Sequence, residues 1–147
     1  MARKVTSPRP LTGPVFVLDA QGLSLLADDD RRMMARLQLA LREQFLPVIS
    51  AVTIVEQRRS GKAGQRLAFF RSKLTVVDVT EQIADLAASL LDSTGLTGHE
   101  CVVDAVVVAT AASTIGPAKV VSSGSHVPAL SKAATEGRTS PVDWVGV

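Results

Sequence analysis

The 147-residue sequence contains one cysteine, one tryptophan, four phenylalanines and no tyrosine. A single thiol, Cys101, excludes an intramolecular disulfide framework, and beside only two histidines it cannot build a Cys/His zinc cluster. A reducing compartment is the resulting expectation. Long apolar runs are also missing: residues 15–18 are stopped by Asp19, and residues 101–112 are broken by Asp104. Both fall short of the roughly 18–20 residues that span a bilayer. The basic amino terminus, MARKVTSPRPLTGP, lacks the sustained apolar segment of a secretory signal. These absences predict a cytoplasmic protein with no membrane span. Excess charge is absent too, since 16 Lys and Arg against 14 Asp and Glu leave a net of +2. That total announces no nucleic-acid partner, so the distribution of charge must decide.

What the chain does have is apolar content, 46% of its residues, enough for one buried core. Residues 1–14, with three prolines, read as a flexible arm, and residues 15–147 as a single domain. Val15-Phe16-Val17-Leu18 has the continuous apolar character of a strand buried on both faces of a parallel sheet. Residues 23–45 repeat Leu25, Leu26, Met33, Met34, Leu37, Leu41 and Phe45 at helical spacing, with residues 28–30 supplying aspartates to cap a second helix. Pro47-Val48-Ile49 predicts a short strand, and Ser50 the N-cap of a helix over residues 51–59. Residues 74–79 read as another buried strand and residues 81–91 as a helix. Thr97 and Glu100 have the spacing of a capping box, opening a helix that runs to about Ile115. Residues 119–122 predict a strand and residues 142–147 a last edge strand. Alternating strands and helices define an α/β domain with a mainly parallel sheet.

Three carboxylates stand out against this frame. Asp19 ends a buried strand, where open parallel sheets collect ligands. Asp104 interrupts Val102-Val103-Asp104-Ala105-Val106, where an unpaired buried charge would cost several kcal/mol. Glu56 follows Val52, Ile54 and Val55 and precedes a basic run. Three acids from three elements can converge into an oxygen-rich site suited to Mg²⁺ or Mn²⁺. Glu100 lies one helical turn before Asp104, so it reads either as a fourth acid or as the capping-box partner of Thr97.

The segment VFVLDAQGLSLL, the acid of VTIVEQRR, and HECVVDAVVVATAA followed by KVVSS resemble a PIN-domain protein, closest to the VapC-type toxins of toxin–antitoxin pairs. The resemblance covers most of residues 15–130, with 37 residues from Asp19 to Glu56 and 48 from Glu56 to Asp104. It implies a three-layer α/β/α PIN-like domain that hydrolyses RNA to 5′-phosphate and 3′-hydroxyl products. Asp19, Glu56 and Asp104 are then the catalytic and metal-binding acids for Mg²⁺, with Mn²⁺ as a substitute, and Ser122 and Ser123 orient water. A small antitoxin and a second copy of the chain are the implied protein partners. One departure is visible: after the late strand such proteins usually place a fourth acid, and here the run is Ser122-Ser123-Gly124-Ser125-His126. Gly124 occupies the acid's place.

Between residues 58 and 73 there are six bases and no acid. Arg58, Arg59, Lys62 and Arg66 are candidates to contact RNA phosphates; the alternative is a solvated helix face. Phe69 and Phe70 read as core, so base stacking is not expected from this segment. Two other readings stay in view: a PIN-like RNA- or protein-binding module impaired by the missing acid, and a nucleotide-binding α/β protein. The second lacks any Gly-rich phosphate loop after Leu18.

Overall fold

A computed structural model describes residues 11–57 and 61–147. The described elements are β1 (Val15–Leu18), α1 (Ala20–Ala27), α2 (Arg31–Arg42), β2 (Leu46–Ser50), α3 (Ala51–Glu56), α4 (Gly61–Ser72), β3 (Thr75–Val77), α5 (Glu81–Thr94), α6 (His99–Ala112), β4 (Ala118–Ser122), α7 (Val127–Glu136) and β5 (Val142–Gly146). All strand pairings are parallel, in the order β3-β2-β1-β4-β5. The chain starts in the middle of its sheet, winds outward to β3, then crosses β1 to build β4 and β5. Strand order therefore reverses between β1 and β4, the switch point beside which open α/β sheets bind ligands.

Side chains alternate across each strand. Val15, Val17, Val48, Val120 and Val142 enter the layer formed by α5, α6 and α7, where Ile83, Leu90, Ala105, Val108 and Leu130 are buried. Phe16, Leu18, Ile49 and Val121 enter the opposite layer with Leu23, Leu26, Met33, Ala40 and Leu67 from α1, α2 and α4. The three-layer α/β/α expectation is met. Each fully buried Val or Leu contributes roughly 1.5–3 kcal/mol, which is why all four β1 residues can sit within 2% of complete burial.

The helix starts follow side-chain caps. Asp30 accepts from Met33 N at 2.8 Å, Ser50 from Val52 N at 3.2 Å and Thr80 from Ile83 N at 3.1 Å. Each cap stabilises its helix by about 1 kcal/mol.

Several expectations are corrected. The N-cap of α6 is Gly98 rather than Thr97, at a φ of 106° that favours glycine, and the Glu100 side chain of the expected capping box lies outside the described residues. The same helix stops at Ala112, where Ser113 and Thr114 turn their hydroxyls back onto Thr110 O and Ala111 O. The strand expected over residues 74–79 shrinks to β3, an exposed edge rather than a buried strand, since only β2 flanks it. Phe69 is not core but 57% exposed on α4. Helix α7 was not anticipated, although Pro128 in its first turn is a recognised start signal. Residues 1–10 of the expected arm lie outside the described residues; residues 11–14 rest on the domain, with Leu11 O accepting from Ile115 N at 3.2 Å. Gly13 and Gly116 cross so closely there that a Cβ on Gly116 would lie 2.6 Å from the Gly13 carbonyl carbon.

Candidate metal centre

Asp19 leaves the carboxyl end of β1 at the switch point. Its parity is that of Val15 and Val17, so it faces the side of the sheet on which α6 lies. One carboxylate oxygen caps α1, accepting from Gly22 N at 2.9 Å, and its backbone N–H donates to Val121 O of β4 at 3.1 Å. The Ser122 hydroxyl donates to the Asp19 carboxylate and accepts from Gly124 N at 2.9 Å. Ser122 is fully buried. Its hydroxyl is thus held between Asp19 and the Gly124 amide, whereas Ser123 is exposed.

Glu56 is the last residue of α3, and its position is set by its neighbour. Gln57 Nε2 donates to Ala20 O at 2.6 Å and Ser24 Oγ at 2.8 Å, fastening the end of α3 to α1. Asp104 comes from the first half of α6. Burial raises the Asp19 carboxyl above its ordinary value, against the opposing bonds from Ser122, Gly22 and Gln21. Glu56 is raised by partial burial, then by the charges of Asp19 and Asp104. Asp104 is raised by burial and by Asp19, and relieved by His126. The three acids named from sequence therefore lie within one another's electrostatic field.

The donors do not form a closed cage: among the described residues no three His, Cys, Asp or Glu groups are drawn to coordinating closeness. Like charges resist closer approach without a cation between them. Two further features lie on the elements that carry the acids. Gly124 packs close against Asp104, where a Cβ would sit 3.2 Å from Oδ2, so the carboxylate oxygen is not covered by a side chain there. Thr53, one helical turn before Glu56, is fully buried with its hydroxyl unpartnered among the described atoms. The donor set is carboxylate and hydroxyl oxygen, the chemistry that Mg²⁺ and Mn²⁺ prefer, and Mg²⁺ usually keeps several waters in place of a complete protein cage.

The remaining candidates separate. Glu100 lies four residues before Asp104 in α6, with its side chain outside the described residues. Arg58 and Arg59 are likewise outside them, and of Lys62 only the place in α4 is described. Arg66 is exposed and ion-paired with Asp29. A cavity of about 310 Å³ lined by Leu23, Ile54, Gln57, Leu67 and Arg71 opens between α1, α3 and α4, beside the helix that carries Glu56.

No family model and no curated protein matches the sequence. Solved structures do match the fold. A chain of the VapBC2 complex from Rickettsia felis, solved with a promoter DNA fragment, superposes with a TM-score of 0.65 at 13% identity, covering 90% of this chain and 98% of that one. A chain of FitAcB from Neisseria gonorrhoeae gives 0.58 at 19% identity, covering 88% and 96%. VapBC-1 from nontypeable Haemophilus influenzae gives 0.57 at 16%, covering 90% and 97%. At these identities the likeness is one of fold: the protein has the PIN-like three-layer α/β/α architecture found in toxin–antitoxin complexes.

Proposed function

We propose that the protein is a divalent-cation-dependent endoribonuclease of VapC toxin type. What supports this reading is that Asp19, Glu56 and Asp104, from three elements at the carboxyl edge of the sheet, lie within one another's electrostatic field, each raised by burial and Glu56 and Asp104 also by neighbouring acid charge. These residues, with Glu100 as an additional acid, would hold Mg²⁺ or Mn²⁺ directly or through water. When bound, such an ion lowers the pKa of a water and offsets charge on the phosphate oxygens. The chain's own contribution is to fix the acids: Ser122 and Gly22 orient Asp19, and Gln57 sets the end of α3. Arg58, Arg59, Lys62 and Arg66 would contact the RNA backbone, Arg66 after leaving Asp29.

The fold likeness to chains of toxin–antitoxin complexes supports a small antitoxin as partner, and the cavity between α1, α3 and α4 offers it a seat beside the acids. A homodimer and a cytoplasmic location belong to the same reading; none of the described helices is long and apolar enough to cross a membrane. The test is cleavage of a mixed RNA pool with Mg²⁺ or Mn²⁺ by the native protein and by Asp104→Asn. Cleavage by the native chain alone is expected, and equal cleavage by both would sink the assignment. Gly124 favours one second reading, a binding module without turnover, because it removes a carboxylate from the position against Asp104. That module would bind RNA without cleaving it and show no cation-dependent rise in melting temperature.

A further inference from the structure

The carboxyl edge of the sheet carries one more group beside the acids. Trp144, the single tryptophan, lies on edge strand β5 opposite Val120, with the parity of buried Val142. Its indole therefore leaves the sheet on the face from which α6 brings Asp104. The ring is not free to swing. Nε1 donates to Ser122 O at 3.0 Å, and the six-membered ring covers Gly146, where a Cβ would meet Cζ2 at 2.9 Å and Cη2 at 3.0 Å. Gly146 is itself fixed, pairing with Ser122 across the sheet and accepting from Arg36 Nη1 at 2.6 Å. Held at both ends, Trp144 still exposes 44% of its surface.

An indole whose N–H is already satisfied presents only apolar ring to water. Its place is informative. The carbonyl it grips belongs to Ser122, whose hydroxyl donates to Asp19. Gly146, Ser122 and Asp19 end three neighbouring strands, which puts the platform about two strand spacings, roughly 10 Å, from Asp19. We propose that Trp144 is a base-stacking platform that receives the face of a nucleobase flanking the phosphate held at the acids. The inference rests on the nucleic-acid reading given above and adds to it the binding group that the basic segment lacks. Stacking on an aromatic face tolerates every base, so Trp144 would fix strand position and leave sequence choice to other contacts. Rigidity matters because a ring already held in place loses little freedom when a base arrives.

The experiment uses the full chain with chelator and no divalent cation, so it does not depend on the metal site. The probes are a short 2′-O-methyl oligouridylate, which resists cleavage, and an abasic strand of equal length. Saturable quenching of the Trp144 emission by the base-bearing strand but not by the abasic one is expected. Trp144→Phe should bind within about threefold of the native chain, and Trp144→Ala should bind about tenfold more weakly, with base-bearing and abasic strands equalised. Trp144→Leu, which keeps an apolar cover over Gly146, should behave like the alanine variant and guards against loss of folding. Equal binding of both strands by the native chain, or unchanged affinity in Trp144→Leu, overturns the platform even where cation-dependent cleavage persists. Absence of binding to either strand overturns it together with the RNA reading. A variant that keeps strand affinity but no longer forms a complex with a protein partner overturns it in favour of a protein contact.

Discussion

Gly124 stands against Asp104 so closely that a Cβ there would lie 3.2 Å from Oδ2, and equally near Ser122 Oγ and Val127 Cγ2. Its φ is not in the left-handed region, so a side chain meets crowding of a few tenths of an ångström rather than backbone strain. Gly124→Asp should therefore place a fourth carboxylate at the acid cluster. We expect a lower melting temperature in chelator, from added repulsion, and about tenfold tighter Mn²⁺ or Mg²⁺ binding, about 1.4 kcal/mol. Calorimetric titration of both proteins checks this; unchanged affinity would place the ion elsewhere.

The raised carboxyls also make a prediction about pH. A group whose folded pKa lies above its ordinary value holds its proton more tightly in the folded state. Its unfavourable contribution is absent below the ordinary value, 3.8 for Asp104, grows as pH rises to the raised folded value, and is constant above that. Asp104→Asn should then melt slightly higher than the native chain at pH 7 without cation, by an amount that solvent screening of this half-exposed group keeps small. The advantage should vanish below about pH 3.8. A gain independent of pH would remove charge repulsion as its cause.

Ser122 links two halves of the site, and its removal should have two separable effects. Ser122→Ala leaves the Gly124 amide without its acceptor and Asp19 without its side-chain donor, the Gly22 and Gln21 amides remaining. The first costs about 1–3 kcal/mol of stability, read by urea unfolding. The second raises the Asp19 carboxyl further, so the pH at which Mn²⁺ begins to raise the melting temperature should move upward. Loss of stability with no movement of that pH would make Ser122 a packing residue only.

Arg66 is held by Asp29, which allows its phosphate role to be tested from both sides. An exposed pair of this kind contributes about 0–1 kcal/mol to stability, so neither substitution should disturb folding. Arg66→Ala is expected to weaken binding of single-stranded RNA two- to fivefold and to flatten its salt dependence; Asp29→Asn should strengthen binding by a similar factor. If affinity responds to neither, the basic face of α4 is merely solvated.

Strands with continuous apolar character were legible because their side chains are buried on both faces: β1, β2 and β4 fall where the residue pattern puts them. Caps at Asp30 and Ser50 were legible for a similarly local reason, since the hydrogen bond spans two or three residues. What failed depended on neighbours remote in sequence. Val76 and Val79 look like core residues, but Val76 lies on an edge strand and Val79 is exposed just beyond it, and Phe69 lies on the outer face of α4. The acids could be named singly, since each breaks an apolar pattern. Ser122 as the donor to Asp19, Gln57 as the clamp between α3 and α1 and Trp144 Nε1 on Ser122 O arise only from the tertiary arrangement, which no local pattern encodes.

That strand order also sets a timetable. β1 is the earliest strand along the chain yet lies between β2 and β4, so Asp19 meets Ser122 only after roughly 100 further residues have been made. During synthesis the first half of the sheet can form with Asp19 already capping α1, while the partner that holds its carboxylate is still to come. Assembly of the acid site thus waits on nearly the whole domain, and a partly made chain displays one of its acids without the arrangement that would let it act.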